Sequence, residues 1–348
     1  MSDAVLASAV LPTGTPYFEQ RIFGWSPVGT LATSALLFVV LYGLYLLCAI
    51  LAGVPSLVRT GHTILFQNGA WPASVLSLLI VSALGMQRYT RLKDAGDQQA
   101  LAAIFSGGDA TAARLGSYTP NDAKLGRAAL AGIAIGLVGS FLVLKDQTDA
   151  RAHAPGIIVW FTCAITLSAI LFARGVELTR KSSASLEDTL NAELKIDLLR
   201  VDKLSVIGRS AARAALVWFV VSAVACLFFV DGDINLPSVA IMLACAAMGI
   251  ALFLRAILRV HRKIVEAKAE ELEHLRGEID TARASLKTDP AAAVRAQGLL
   301  AYEARIAAAP EWPFDQTTLF RVAASTLIVT VPWFGQALAG YAIDHLAH

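Results

Sequence analysis

The chain has 348 residues, 56% of them hydrophobic and 16% charged, with a formal net charge of +2. A mean hydropathy of +0.60 is too high for a surface that meets only water, so part of the solvent has to be lipid. Disordered, collagen-like and nucleic-acid-binding classes are excluded, because the chain is strongly apolar and no segment is both long and strongly basic.

Residues 1–28 carry no basic stretch followed by an apolar core and a small-residue cleavage site. No signal peptide is expected, and insertion falls to the first membrane helix. A spanning helix needs about 20 mostly apolar residues. Seven segments meet or approach that length: 29–52, 70–87, 127–144, 156–173, 212–230, 237–254 and 315–342. The connections between them alternate in charge. Segments 88–127, 174–213 and 255–314 hold six, eight and ten Lys/Arg, whereas the others hold Arg59 alone, Lys145 with Arg151, and none. Positive charge stays in the cytoplasm, so the amino end is expected inside and the carboxyl end outside.

The inner connections read as helical. Leu258, Val265, Leu272, Ile279 and Leu286 recur every seven residues, with Leu275 and Ala282 on the next ridge. A strict seven-residue repeat keeps one seam toward a partner helix. At ~1.5 Å per residue this helix projects about 45–50 Å below the membrane. Thr288-Asp289-Pro290 stops it. A second helix over 291–309, with Val294, Leu299, Tyr302 and Ile306 on one side, returns the chain to the membrane at Glu311-Trp312-Pro313-Phe314, where Trp312 suits the headgroup level. Leu186, Leu190, Leu194 and Leu198, spaced by four, predict another inner helix that bundles with this hairpin. Whether the seam closes within one chain or between chains is open at this level.

The cores of the first six spans contain no Asp, Glu, Lys, Arg or His. Ionisable groups at that depth mark proton relays and coupling-ion sites, so a coupled secondary transporter ranks third among the functions considered. The last segment is different. Arg321 either snorkels to the inner headgroups or lines a water-filled vestibule. Ser325, Thr326, Thr330 and Pro332 follow it, and Pro332 frees a carbonyl and marks a kink. These five residues are the pore or gating candidates. Gly132, Gly136 and Gly139 in the third span form a close-approach face for another helix, and Ala240, Ala244, Ala247 and Ala251 form a similar one in the sixth. Asp344, His345 and His348 are a weak metal candidate on the outer side. The four cysteines sit in apolar runs without metal or redox spacing and read as small buried hydrophobes.

No nucleophile elbow, phosphate loop, dinucleotide fingerprint or zincin motif is present, so neither an enzyme nor a cofactor is expected. The expected fold is an all-α integral membrane protein of the inner membrane with seven spans. A cytoplasmic segment (1–28) precedes a six-span bundle (29–254); a cytoplasmic hairpin (255–314) and a last helix (315–348) follow. The leading functional expectation is an oligomeric channel for ions or small solutes, its path lined by the last helix and its gate or assembly domain formed by the cytoplasmic helices. The alternative is a non-conducting scaffold or sensor that signals through the hairpin to a cytoplasmic protein. The expected partners are the lipid bilayer, further copies of the chain and that protein, with no nucleic acid.

Overall fold

The computed structural model describes residues 22–23, 29–60, 63–66, 69–97, 100, 104–105, 107–108, 122–145, 154–193, 196–230, 236–286 and 290–312. Helix α1 (Thr30–Leu51) is apolar on every side, as suits a helix bathed in lipid, and buries only Thr33, Tyr45 and Ala49 against protein. It stops at Gly53, whose φ of +68° is open to glycine at no steric cost. The Gly53 amide donates to Ile50 O and the Val54 amide to Ala49 O, each at 3.0 Å, the paired bonds that close a helix C-terminus.

A two-stranded antiparallel hairpin follows, β1 (Leu57–Thr60) and β2 (Thr63–Phe66), in register from Leu57 opposite Phe66 to Thr60 opposite Thr63. This short hairpin is an addition to an otherwise helical fold. The β-branched and aliphatic residues around the connection at 61–62 favour a pleated pair over a loose loop.

The remaining elements are helical: α2 (Ala70–Gly96), α3 (Asp122–Lys145), α4 (Pro155–Glu193), α5 (Ser205–Cys226), α6 (Leu236–Ser285) and α7 (Pro290–Ala307). Single 3-10 turns, Val201–Leu204 and Leu227–Val230, bracket α5. Pro155 and Pro290 each occupy the first helical position, where a missing N–H costs nothing and the fixed φ suits the helix. Among the described residues six helices, α1 to α6, are long and apolar enough to cross a membrane. The seventh segment, 315–342, lies outside the described residues.

Two helices run further than their apolar windows. Helix α4 has 39 residues and α6 has 50, about 75 Å at ~1.5 Å per residue. The charged residues beyond each window are good helix formers, so nothing stops either helix at the membrane edge. Of the four leucines expected to mark a separate inner helix, Leu186 and Leu190 therefore belong to α4, while Leu198 lies in the turn after it.

Neighbouring helices run antiparallel. Ser34 of α1 lies beside Gly85 near the far end of α2. Gly132 and Gly136 of α3 lie against Ile170 and Thr166 of α4. Asp97, just after α2, pairs with Arg209 and Arg213 at the start of α5, and Gly249 of α6 meets Phe219 of α5. The basic helix ends therefore gather at one end of the unit, the basic end. The helices form the row α3–α4–α2–α5–α6, with α1 seated on α2 and α4. One apolar core joins α1, α2 and α4 around Tyr45, Ile80, Trp160 and Phe161. A second lies at the basic end. It unites Ile104 and Phe105, Val201 to Ile207, and Val260 and Ile264 of α6, with Leu198 packed against it.

Helices α6 and α7 form an antiparallel hairpin whose contact within the chain uses a row other than Leu258 to Leu286. Leu258, Val265 and Leu286 are exposed, while Leu272 and Ile279 are half-buried. The row that packs is displaced by three residues. Leu275 and Ala282 are buried at 3% exposure each, and His261 and Lys268 continue their seven-residue spacing toward the membrane. On α7 the facing row is Ala292, Leu299 and Ile306. Val294, expected on this side, is 73% exposed.

Candidate functional site

Three regions could carry function: the middle of the helix unit, its basic end, and the place where α7 returns to α6. The middle is filled by rings. Tyr45 meets Trp160 edge-on at 5.2 Å and Phe161 at 5.8 Å, and Trp160 meets Phe161 at 5.3 Å. Gly69, at φ +84°, lets the chain pass the Phe161 ring, which sits 3.3 Å from where a Cβ would stand. Trp160 Nε1 donates to Leu41 O at 3.2 Å, and near the opposite end Trp71 Nε1 donates to Leu227 O at 2.7 Å, tying α2 to the end of α5. Hydroxyls inside the spans turn back on their own helices, as Ser77 does to Ala73 O and Ser168 to Ala164 O. Tyr42 Oη, Thr166 Oγ1 and Trp218 Nε1 are buried without a hydrogen-bond partner among the described residues.

The close-approach glycines lie between α3 and α4. A Cβ on Gly132 would stand 2.6 Å from Ile170 Cα, and one on Gly136 would stand 2.5 Å from Thr166 Cα. Gly139 is looser, with Ile165 at 3.9 Å. Ser140 Oγ donates to Gly136 O at 2.7 Å and keeps its polar atom within α3. The cysteines are free thiols: Cys226 and Cys245 are buried, Cys48 is half-buried, and Cys163 faces outward.

At the basic end Asp97 accepts from Arg213 at 2.8 Å and Arg209 at 3.5 Å. The Arg213 side chain is only 13% exposed, so Asp97 neutralises a cation held mostly by protein. Arg88, earlier on α2, has a buried Nε with no partner among the described residues. On α4, Glu177 is held by Arg180 at 3.0 Å and Lys181 at 3.8 Å. This end keeps a positive excess, with ion pairs at Asp97 and Glu177 beside the second core.

The hairpin is stitched by charge. Arg276 Nε donates to Glu303 at 3.2 Å and Tyr302 Oη to Glu271 at 3.2 Å. Burial, and then the Glu271 carboxylate, push the Tyr302 phenol above its ordinary value. The return of the chain is pinned twice. Lys268 Nζ donates to Ala309 O at 3.1 Å and to the Glu311 carboxylate at 3.3 Å, satisfying a carbonyl left open past the end of α7. His261 lies flat on Trp312, with ring centroids 4.0 Å apart and planes 7° apart, and its Nδ1 is 2.9 Å from Glu311 O. A carbonyl oxygen only accepts, so Nδ1 carries the proton in this bond. The sequence showed Trp312 as an interfacial residue but gave His261 no role, because its partner lies 50 residues away.

The pore candidates Arg321, Ser325, Thr326, Thr330 and Pro332, and the metal candidates Asp344, His345 and His348, lie outside the described residues. Among the described residues no group of three His, Cys, Asp or Glu is placed to hold a metal ion. The described residues form an apolar unit, a basic end with ion pairs at Asp97 and Glu177, and one long helix, α6, that continues into the hairpin. The comparisons leave that geometry to stand alone, since no protein-family model, curated protein or solved structure matches this chain.

Proposed function

We propose that the chain is a seven-span, non-enzymatic protein of the inner membrane, amino end inside and carboxyl end outside, that passes conformational change from its spans to a cytoplasmic helical layer read by a protein partner. The observation that carries this reading is the unbroken 50-residue α6, shared by the membrane unit and the hairpin. A rotation or tilt of its apolar half moves the hairpin as one rod. The charge bias of the connections supports the orientation. This order reverses the one drawn from sequence alone: rings of Tyr45, Trp160 and Phe161 pack together between α1 and α4, and the residues expected to line a path lie outside the described residues.

An oligomeric channel is the second reading. It is favoured by the two ends of the helix row: α3 carries Leu130, Ile135 and Phe141 at 64–68% exposure, and α6 carries Leu243, Ile250 and Leu254 at 47–48%. Further copies could cover these faces, placing a path between chains, with Arg321 to Pro332 lining it. Light scattering on the solubilised full-length chain separates the readings. A ring of three or more copies that passes ions in liposomes supports the channel. A monomer that co-purifies one soluble protein, lost on deletion of 258–309, supports the coupling role. Neither result leaves both standing.

A further inference from the structure

The hairpin of α6 and α7 has two sides of different character. Leu275 faces α7, and each residue turns a helix by about 100°, so Glu271 lies about 40° to one side of it and Arg276 about 100° to the other. On the first side Glu271 holds Tyr302, and Asp197, in the turn after α4, acts on the same phenol. The connection between α4 and α5 therefore stands on that side. The other side is crossed by Arg276 and Glu303 and carries the apolar row that α7 leaves unused.

That second side is apolar along its length. Leu258, Val265 and Leu286 of α6 are 45%, 38% and 44% exposed, and Leu300 of α7 is 52% exposed. Leu272 and Ile279 between them are half-buried. The row on α6 repeats strictly every seven residues. A straight helix would turn such a row away by about 20° per heptad, whereas a left-handed supercoil keeps it against a neighbour. From Leu258 to Leu286 the helix rises ~42 Å, and two helices side by side are about 20 Å wide. The face then offers roughly 800 Å², the share that each partner gives to a stable interface of standard size. The α6 flank beyond the row holds Arg262, Arg276 and Arg283 against Glu266, Glu273 and Asp280. The signs balance, so two copies of the face meet without net repulsion.

We infer that this face pairs with the same face of a second copy of the chain, the two α6 rods running parallel about a two-fold axis normal to the membrane. The bilayer selects this partner. Both copies are inserted in one orientation, so their rods are parallel before they meet, and equal positions of the row stand level with each other. A soluble helix arrives with neither direction nor register set. The inference rests on the proposed placement of the hairpin in water beneath the spans and adds what its bare side meets.

Single cysteines in the full-length chain, mildly oxidised in membranes, test this. The native chain, whose four cysteines lie in the apolar spans, is the baseline. Val265→Cys, Leu272→Cys, Ile279→Cys and Leu286→Cys are each expected to give a disulfide-linked species of twice the 36.9 kDa chain mass. Glu270→Cys, His274→Cys and Glu278→Cys, on other faces of α6, are expected to stay at baseline. A dimer yield that ignores the seven-residue spacing, or no dimer above baseline, overturns the pairing. Val265→Glu combined with Leu300→Glu is a second variant. Both positions are exposed in the single chain, so the helix signal is expected to stay while the Leu272→Cys and Ile279→Cys dimers are lost. Dimers that survive it overturn the pairing as well. A membrane-impermeant maleimide offered to Val265→Cys from each side of the membrane tests the placement separately. Labelling only from the non-cytoplasmic side overturns the proposed orientation, while the crosslinking pattern still decides the pairing.

Discussion

The pair α3–α4 and the pair α6–α7 are both antiparallel helix pairs from one chain, yet they are held by different means. In α3–α4, Gly132 and Gly136 bring a helix backbone against Ile170 and Thr166, and Lys124 of α3 adds a Coulombic attraction to Glu177 of α4 at the basic end. In α6–α7 the glycines do nothing of the kind: Gly277 and Gly298 have no atom within 4 Å of a Cβ position. There the contacts are a narrow apolar row flanked by Arg276–Glu303, Tyr302–Glu271 and Lys268–Glu311. The difference lies in the solvent. Lipid gives no hydrophobic reward for burying one more leucine, so tight backbone contact has to hold the pair. In water the apolar row supplies the drive and surface charges fix the register.

Adding a side chain at a glycine should therefore have opposite effects in the two pairs. Gly136→Leu places a side chain where Thr166 Cα stands 2.5 Å from a Cβ. Because that neighbour is backbone, the loss should exceed the ~1–3 kcal/mol of ordinary overpacking and appear as a collapsed thermal transition in detergent. Ile306→Ala in the hairpin removes a fully buried side chain and should cost about 2–4 kcal/mol, read as early loss of helix signal with the spans intact. Gly277→Ala should raise hairpin stability by ~0.5–1 kcal/mol, since the position is helical and open. If it destabilises as Gly136→Leu does, the contrast between the pairs fails. Charge reversal at Arg276, which is 68% exposed, should cost at most ~1 kcal/mol and be recovered by Glu303→Arg.

The smallest effect is one of pH. Because the Tyr302 phenol is pushed up by burial and then by Glu271, its contribution is intact below the ordinary tyrosine value near 10 and is lost as pH rises through the higher folded value. Tyr302→Phe should flatten the alkaline end of the hairpin's stability profile, followed by circular dichroism from about pH 8 to 11 around that value.

Composition made the six described spans legible, because an apolar run of the right length has few uses other than crossing a membrane. Their ends were less legible. Helices α4 and α6 pass the membrane edge without any breaker, and hydropathy falls there while helix propensity does not. The hairpin's existence was readable from its seven-residue spacing, but its register was not. Two rows three residues apart compete, and the one richer in leucine, Leu258 to Leu286, looks stronger on paper. The row that packs contains His261 and Lys268, whose value lies in carbonyls of a distant chain end. The strands β1 and β2 left a faint mark in Leu57-Val58-Arg59-Thr60 and Thr63-Ile64-Leu65-Phe66, two short β-prone runs two residues apart.

The 50-residue α6 also limits how this protein can change length. Each residue added to a helix turns everything beyond it by about 100°. One alanine inserted between Leu254 and His261 would carry the hairpin face a quarter-turn away from the face above it, and two would carry it past half. Seven would bring it back within about 20°, one heptad farther from the membrane. Insertions and deletions in this stretch are thus quantised: seven or eleven residues, roughly 10 or 16 Å, keep both halves within about 20° of phase, whereas one or two residues do not.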